Sequence, residues 1–385
     1  MSRGWIVTGG DVLGENGLAL ASLAPASLAF ADGVVAEASA GAREFDAAGL
    51  LVLPGIVDIH GDAHERAFQP RPGVDFAANF ALADAARQLL AAGITTACLG
   101  VTLSWEPGLR SLAAFRALDD ALDAARAATP GDLLIHLRFE ADNFGAIPTA
   151  LAAMAGGRIA MLGFNDHTPS IVKKLADPVQ LAKYAGRAGV AADVFATLAA
   201  AAMARRGEVP AARALMAEAA QAAGVPMLSH DDASLEDRRS FRALGAQVCE
   251  FPMAEAVAAE ARGMGEAVVM GAPNVVRGGS HLGWASAAPL AERGLVTVLA
   301  SDYVWPALTL APFVLADRGA MDLAAAWALV SANPAAALGL ADRGGLAVGQ
   351  RGDAVVMDPA TRSVVATFAR GRLGWIAPGA EARIG

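Results

Sequence analysis

The 385-residue sequence is poor in cysteine, tyrosine and charge: it has two cysteines, two tyrosines and 18% charged residues. Both cysteines, Cys98 and Cys249, lie in apolar segments, so we expect buried free thiols in a reducing compartment and no disulfide framework. The first residues contain no long apolar core and no clear cleavage site, so we expect no signal peptide. These features predict a cytoplasmic protein.

The chain also lacks long charge-free hydrophobic runs and an excess of basic residues. Its longest charge-free apolar stretches, Gly17–Ala31 and Ala91–Trp105, are too short to span a membrane, although 55% of the residues are hydrophobic. The net charge of −9 argues against a nucleic-acid partner. A small phosphorylated substrate is compatible with this charge, because such an anion responds to local charges and to bound metal.

Between residues 56 and 300, short apolar strands alternate with alanine-rich helices. Eight strands with helical crossovers predict an α/β protein built on a (β/α)₈ TIM barrel. The alternative is an open doubly wound sheet, but no Gly-x-Gly-x-x-Gly motif opens a first helix. The predicted barrel strands are Ile56–Ile59, Ile94–Gly100, Leu133–Phe139, Ile159–Phe164, Pro226–Ser229, Gln247–Glu250, Ala267–Met270 and Val296–Ala300.

Both ends of the chain have a different texture, with short strands and tight turns in place of long helices. Asp32-Gly33 between two apolar runs is a hairpin signal, and further short strands follow residue 341. The most economical arrangement is one small β-sandwich built from residues 1–53 and 343–385. The barrel, residues 54–342, is then inserted between the two parts of that sandwich.

Metal-ligand residue types collect where the predicted barrel strands end. A barrel carries its chemistry at the C-terminal ends of its strands, and five of the six histidines lie there. Imidazole and carboxylate together favour zinc, with manganese, iron or nickel as alternatives, over calcium or magnesium. We therefore expect one or two divalent cations, held by His60, Asp62, Glu140, His167, His230 and Asp302.

Two of these carboxylates have further predicted roles. Glu140 is the natural bridge between two cations, because each of its oxygens can bind one. Asp302 is expected to bind a cation and to take the proton from an attacking water. The sequence leaves open whether Asp62 or His64 is the second metal ligand beside His60. The simpler alternative for this stretch is a solvated polar turn after the first strand.

A second set of residues favours phosphate binding. Within the segment 273–281, an arginine, two glycines, a hydroxyl and an imidazole form a plausible phosphate cradle, although a glycine-rich surface turn is an even alternative. Lys173 is a further candidate cation, with a solvated charge as its alternative, and Asp231 could orient a ligand or bind ribose hydroxyls. The predicted substrate-binding residues are Arg277, Gly278, Gly279, Ser280, His281, Asp231 and Lys173.

Several of these stretches resemble a known superfamily. The Leu53-Pro-Gly-Ile-Val-Asp-Ile-His60 start, the strand-end histidines, Ser301-Asp302 and the closing Gly349-Gln-Arg-Gly-Asp-Ala-Val-Val356 segment resemble the amidohydrolase superfamily. His136-Leu-Arg-Phe-Glu140, Ser229-His-Asp-Asp-Ala233 and the segment 270–281 are similar to the diphosphatase family of the carbon–phosphorus lyase pathway. The resemblance spans essentially the whole chain.

The resemblance implies a metal-dependent barrel with a small β-sandwich, association into homo-oligomers, and a role in phosphonate catabolism. The implied reaction cleaves the triphosphate of α-D-ribose 1-methylphosphonate 5-triphosphate to the 5-phosphate and pyrophosphate. Two departures from the superfamily stand out: His60-Gly-Asp62 replaces His-x-His, and no strand-end lysine is present. The alternatives are an amidohydrolase acting on a cyclic amide or nucleobase, and a non-catalytic scaffold or binding homologue.

Overall fold

A computed structural model of the chain describes residues 4–16, 19–37, 41–280 and 283–385. These ranges contain sixteen strands, which are β1 Trp5–Asn16, β2 Ala19–Ala31, β3 Val34–Ala36, β4 Arg43–Asp46, β5 Leu51–Pro54, β6 Ile56–Gly61, β7 Ile94–Leu103, β8 Asp132–Glu140, β9 Ile159–Asn165, β10 Met227–His230, β11 Val248–Glu250, β12 Ala267–Gly271, β13 Val298–Ala300, β14 Ala354–Met357, β15 Val364–Ala369 and β16 Arg372–Ile376.

The same ranges contain fifteen α-helices. They are α1 Glu65–Phe68, α2 Ala78–Ala91, α3 Leu112–Ala128, α4 Ile147–Ala155, α5 Thr168–Lys174, α6 Pro178–Ala188, α7 Ala192–Ala204, α8 Val209–Ala222, α9 Leu235–Ala243, α10 Glu255–Gly263, α11 Ala272–Arg277, α12 Ala287–Glu292, α13 Pro306–Asp317, α14 Leu323–Ala328 and α15 Ala332–Ala337.

Strands β6 to β13 form one parallel sheet in chain order, and the sheet curls until its two outer strands meet. The amide of Asp302 donates to the carbonyl of His60 at 2.9 Å, and the amide of Asp62 donates to the carbonyl of Asp302 at 2.8 Å. The predicted (β/α)₈ barrel is therefore confirmed, and an open doubly wound sheet is wrong. All eight predicted barrel strands are present.

A buried carboxylate joins β6 to β13 along the edge where the barrel closes, which we call the seam. One oxygen of Asp58 accepts from the amides of His60 at 3.2 Å and Ser301 at 3.1 Å, and its other oxygen lies 2.6 Å from the Ser301 hydroxyl. Burial raises the pKa of Asp58 to about 6, against the opposing effect of the hydrogen bonds from Ser301. Protonated or ionised, Asp58 joins the first strand of the barrel to the last.

The barrel interior is filled by apolar side chains from most of its strands, including Val57, Ile59, Met161 and Leu228. Cys98 lies among them, and Cys249 lies in the layer between strands and helices. Both thiols are free and buried, as predicted. Burial raises the pKa of each thiol far above its ordinary value, which makes both of them unreactive core groups.

The two ends of the chain share a second, mixed sheet with strand order β16-β15-β14-β5-β1-β2-β3 and β4 beside β1. Antiparallel pairing of β5 with β14 joins the N-terminal part to the C-terminal part. Between β5 and β6, Gly55 is required by close approach, because a Cβ there would lie 2.4 Å from the Thr95 hydroxyl. Division into folding units at 53/54 and 342/343 stays a prediction.

The helices between barrel strands follow the predicted pattern, with additions where periodicity is weak. Helix α13 was not predicted, because apolar residues occupy nearly all of its sides and it contains Pro312. After β9 the chain adds α5 and α6 before the expected α7 and α8. In the described ranges no single helix meets the length and apolarity of a membrane span, and α6 and α7 meet them only as a bent pair.

We predict that Asp58→Asn stabilises the metal-free protein at pH 8. Asn retains an acceptor for the two amides and can donate to Ser301, whereas ionised Asp58 opposes folding. The folded-state pKa lies above the unfolded value, so this contribution favours folding at low pH and is lost as pH rises through about 6. We expect a gain of about 3 kcal/mol at most in the free energy of unfolding.

Urea unfolding in EDTA at pH 8 and pH 5 measures this effect. The gain should be roughly halved at pH 5, where wild-type Asp58 is partly relieved of its charge. An equal gain at both pH values, or a loss at pH 8, would contradict the assignment of a costly charge to the seam.

Candidate active site

A cavity of about 260 Å³ opens at the C-terminal end of the barrel. It brings together six of the predicted site residues from four separate segments of the chain: His60, His230, Asp231, Arg277, Ser280 and Asp302. Its remaining wall includes Phe251, Trp284 and Tyr303. The strand ends that the sequence singled out therefore do meet in one place, between polar groups on the floor and aromatic rings at the side.

Glu250 at the end of β11 holds two histidines at once. Its oxygens lie 2.8 Å from Nδ1 of His60 and 2.7 Å from Nδ1 of His230, and the two rings stack at 5.7 Å with an angle of 10°. A carboxylate at Nδ1 keeps the proton there and leaves the lone pair on Nε2. This is how proteins prepare histidine to bind a metal.

His167 is held in the same way by Glu140. The Glu140 oxygens lie 3.1 Å from Nδ1 of His167, 2.6 Å from its amide and 3.2 Å from the amide of Thr168. Although burial opposes ionisation, the hydrogen bonds from His167 hold the pKa of Glu140 below its ordinary value. The structure thus brings Glu140 to His167 and the start of α5, rather than to a position between His60 and His230.

The described residues contain four groups of potential ligand atoms, each with its atoms within 4.8 Å of one another. Two include residues that line the cavity and keep carboxylates free of histidine Nδ1: His60 with Asp62 and Asp302, and His167 with His230 and Asp231. The others are His60 with His136 and Glu250, and Glu140 with Asp142 and Asp166. Imidazole and carboxylate donors of this kind fit a transition-metal ion such as zinc. Asp62, not His64, is the residue brought to His60, because Nδ1 of His64 turns to the carbonyl of Gly61 at 3.1 Å.

The electrostatics of the site favour metal binding. Burial lowers the pKa of His230 to about 3 and that of His60 well below its ordinary value, so both imidazoles are neutral at physiological pH. Burial, with the charge of Asp62 in second place, raises the pKa of Asp302 to about 7. Neutral imidazoles and crowded carboxylates are the ligands that a divalent cation stabilises most.

Three non-glycine residues around the cavity have left-handed backbone conformations: Asp231 with φ 60°, Phe251 with φ 52° and Asp302 with φ 55°. Each is the first or second residue after its barrel strand, and each donates its amide to a carbonyl of the neighbouring strand. Such conformations cost about 1–3 kcal/mol each and are retained mainly at functional sites. Here they turn side chains inward at the rim of the barrel.

The predicted phosphate segment differs in form from the expected loop. Residues Ala272–Arg277 form helix α11, because Pro273 suits a first turn and Gly278, with φ 84°, ends the helix in the left-handed conformation. The exposed Arg277 lies on the cavity wall with Nη1 3.2 Å from the Tyr303 hydroxyl. Ser280 also lines the cavity.

The other members of the predicted phosphate set are less well placed. Gly278 is exposed and serves to end the helix, and Gly279 follows it at the rim. Lys173 is exposed on α5 and is not among the residues that line the cavity in the described part of the chain. His281 lies outside the described residues.

Two residues important to the geometry were given no role from the sequence. Glu250 was visible as the polar residue ending the sixth strand, but nothing in the sequence shows that it joins His60 to His230. Arg138 lies between His136 and Glu140 on β8, and its side chain reaches the floor of the cavity. Period-two alternation, which turns 136, 138 and 140 to one side, is the signal that could have indicated it.

The chain is 31% identical over 278 residues to the α-D-ribose 1-methylphosphonate 5-triphosphate diphosphatase of Escherichia coli strain K12, covering 71% of this chain and 73% of that protein. It belongs to this diphosphatase family, within the amidohydrolase superfamily. No protein-family model matches the chain.

Solved structures agree on the amidohydrolase fold. A molinate hydrolase superimposes with a TM-score of 0.63 at 15% identity, covering 97% of this chain and 95% of that one. A putative prolidase from Bifidobacterium longum gives 0.64 at 17% identity, covering 99% and 98%. A dihydropyrimidinase from Brevibacillus agri gives 0.53 at 13% identity, covering 96% and 94%. This member of the diphosphatase family is therefore a hydrolase with the amidohydrolase architecture.

We predict that Glu250→Gln weakens metal binding roughly 10- to 100-fold. The amide lacks the negative charge and offers one acceptor where two imidazole N–H groups need one each. Competition with a chelator, followed by metal analysis of the protein, measures the change in affinity. Glu236→Gln, on the exposed face of α9, is the control, and unchanged affinity in Glu250→Gln would contradict the role of Glu250.

Proposed function

We propose that this protein is a metal-dependent diphosphatase of phosphonate catabolism. Its substrate is α-D-ribose 1-methylphosphonate 5-triphosphate, which it hydrolyses to the 5-phosphate and pyrophosphate. The observation that carries the proposal is the placement of Arg277 on the wall of the cavity whose floor holds His60 and Asp302. Hydrolysis of an uncharged ring needs no such cation, whereas a triphosphate does. The family relationship supports the same substrate.

The residues that would hold the cation are His60, Asp62 and Asp302 in one group, and His167, His230 and Asp231 in the other. Zinc suits these donors best, with manganese, iron or nickel as alternatives. When bound, a divalent cation lowers the pKa of water and withdraws charge from phosphoryl oxygens. The remaining chemistry belongs to the side chains of the cavity.

Each polar group has a task in this reaction. The oxygen of water forms a bond to phosphorus, the anhydride P–O bond breaks, and pyrophosphate leaves with the bonding electrons. Asp302 is positioned on the cavity floor to accept the proton from water, and Arg277 offers paired N–H donors to phosphoryl oxygens. When the cation is held by His60, Asp62 and Asp302, Asp231 is available for ribose hydroxyls at the same rim. The rings of Phe251 and Trp284 reduce the access of bulk water to the reacting groups.

The decisive assay offers the metal-loaded protein α-D-ribose 1-methylphosphonate 5-triphosphate, a nucleoside triphosphate and a cyclic amide, and measures pyrophosphate and ring opening. We expect pyrophosphate from the ribose triphosphate. Ring opening of the cyclic amide without pyrophosphate would show an ordinary amidohydrolase. Absence of both, in a chain that retains no transition metal, would show a non-catalytic homologue.

We predict that Arg277→Ala lowers kcat/KM for pyrophosphate release roughly 10- to 100-fold, because a charge-assisted hydrogen-bond pair to phosphate is lost. The metal content should stay unchanged, since Arg277 belongs to neither ligand group. Arg87→Ala removes an exposed arginine of α2 and serves as the control. Turnover equal to wild type in Arg277→Ala would disprove the phosphate contact.

A further inference from the structure

An arginine lies between the two ligand groups, where most binuclear sites would carry an anionic bridge. Nη1 of Arg138 is 3.5 Å from Oδ2 of Asp62, in the first group, and Nη2 is 3.3 Å from Nε2 of His230, in the second. The side chain is 8% exposed. A buried guanidinium is thus in contact with one member of each group.

The barrel is shaped to admit this side chain. Arg138 pairs in register with Thr102 on one side and with Gly163 on the other. A Cβ on Gly100 would lie 3.3 Å from Cδ of Arg138. The missing side chain of Gly100 therefore leaves room for Arg138.

Arg138 is nevertheless held loosely for a buried arginine. Within the described ranges its Nε makes no hydrogen bond, and its two contacts are long. Arg206, by contrast, reaches carboxylates of Asp142 and Asp166 at 2.5–2.9 Å. The ion-pair partner of Arg138 is Asp62, at 3.5 Å, which is itself a predicted metal ligand. We attribute the position of Arg138 to the candidate site, where it places a positive charge between the two ligand groups.

The contact with His230 excludes a metal at the same atom. Glu250 at Nδ1 leaves His230 one lone pair, on Nε2, and a lone pair accepts either an N–H donor or a metal. In the observed arrangement that lone pair faces Arg138. Asp62, which Arg138 also contacts, still lies with His60 and Asp302 in a group whose ligand atoms are within 4.8 Å of one another.

We propose that Arg138 takes the place of a second metal ion, so that the protein binds a single divalent cation at His60, Asp62 and Asp302. The inference rests on the metal dependence in the proposed function and narrows the predicted ligand set. His230 then binds Arg138, and Arg138 faces the cavity as a fixed positive charge for the substrate's phosphoryl oxygens. The charge of Arg138 is present whether or not metal is available.

The test is the number of metal ions per chain, measured by mass spectrometry of protein dialysed against a small excess of zinc. We expect one ion in the wild type, one in His230→Ala and two in Arg138→Met, where the lone pair of His230 becomes available. The double variant Arg138→Met/His230→Ala should return to one. Arg158→Met, which removes an arginine on the helix side of the barrel, is the matched control and should keep one.

Two ions in the wild type, or a loss of zinc in His230→Ala, would overturn the inference and leave the proposed function standing. One ion in a folded Arg138→Met would overturn it as well. If Arg138→Met does not fold, the wild type and His230→Ala still decide between one ion and two. A wild-type chain that retains no zinc under any loading condition would instead remove the proposed function on which the inference rests.

Discussion

The site depends on the closure of the barrel. His60 and Asp302 are separated by most of the barrel sequence, and they meet only because β6 and β13 join edge to edge. Asp58 bridges to Ser301 beneath them, and two backbone hydrogen bonds align His60 with Asp302 above. Without this seam the first ligand group would not exist, because its members come from opposite ends of the parallel sheet.

The same region concentrates groups that oppose folding of the metal-free chain. Burial raises the pKa of Asp58 to about 6 and that of Asp302 to about 7, and three residues at the rim adopt left-handed conformations. A cation that binds only the folded chain offsets such costs. The carboxylates of Glu250 and Glu140 add rigidity, since each fixes the ring of a histidine before any ligand arrives. The same buried groups thus preorganise the site for a ligand and destabilise the metal-free chain.

Much of this arrangement follows from local sequence patterns. Short apolar runs separated by alanine-rich helices indicated all eight barrel strands, and the rule that chemistry lies at strand ends indicated His60, His230 and Asp302. The pairing partners did not follow, because the contact of Glu250 with His60 joins residues that no local pattern relates. For the same reason Glu140 was expected between two cations, whereas it holds His167.

Other differences arise where local signals conflict. The glycines after Arg277 indicated a loop, but Pro273 starts a helix and Gly278 ends it. Helix α13 has no polar face for periodicity to detect. Arg138 was visible as a charged residue on an inward-facing position, yet the space for its side chain depends on Gly100 from the neighbouring strand. The space available to a side chain between strands is set only when the barrel closes, so local sequence does not indicate it.

Anomalous diffraction at the metal edge from crystals of the zinc-loaded protein shows whether the seam holds the metal. We expect a peak at the seam, about 2.0–2.2 Å from ligand atoms of His60, Asp62 and Asp302. A metal bound elsewhere, for example among Glu140, Asp142 and Asp166, or a loaded crystal with no peak at the seam, would contradict it.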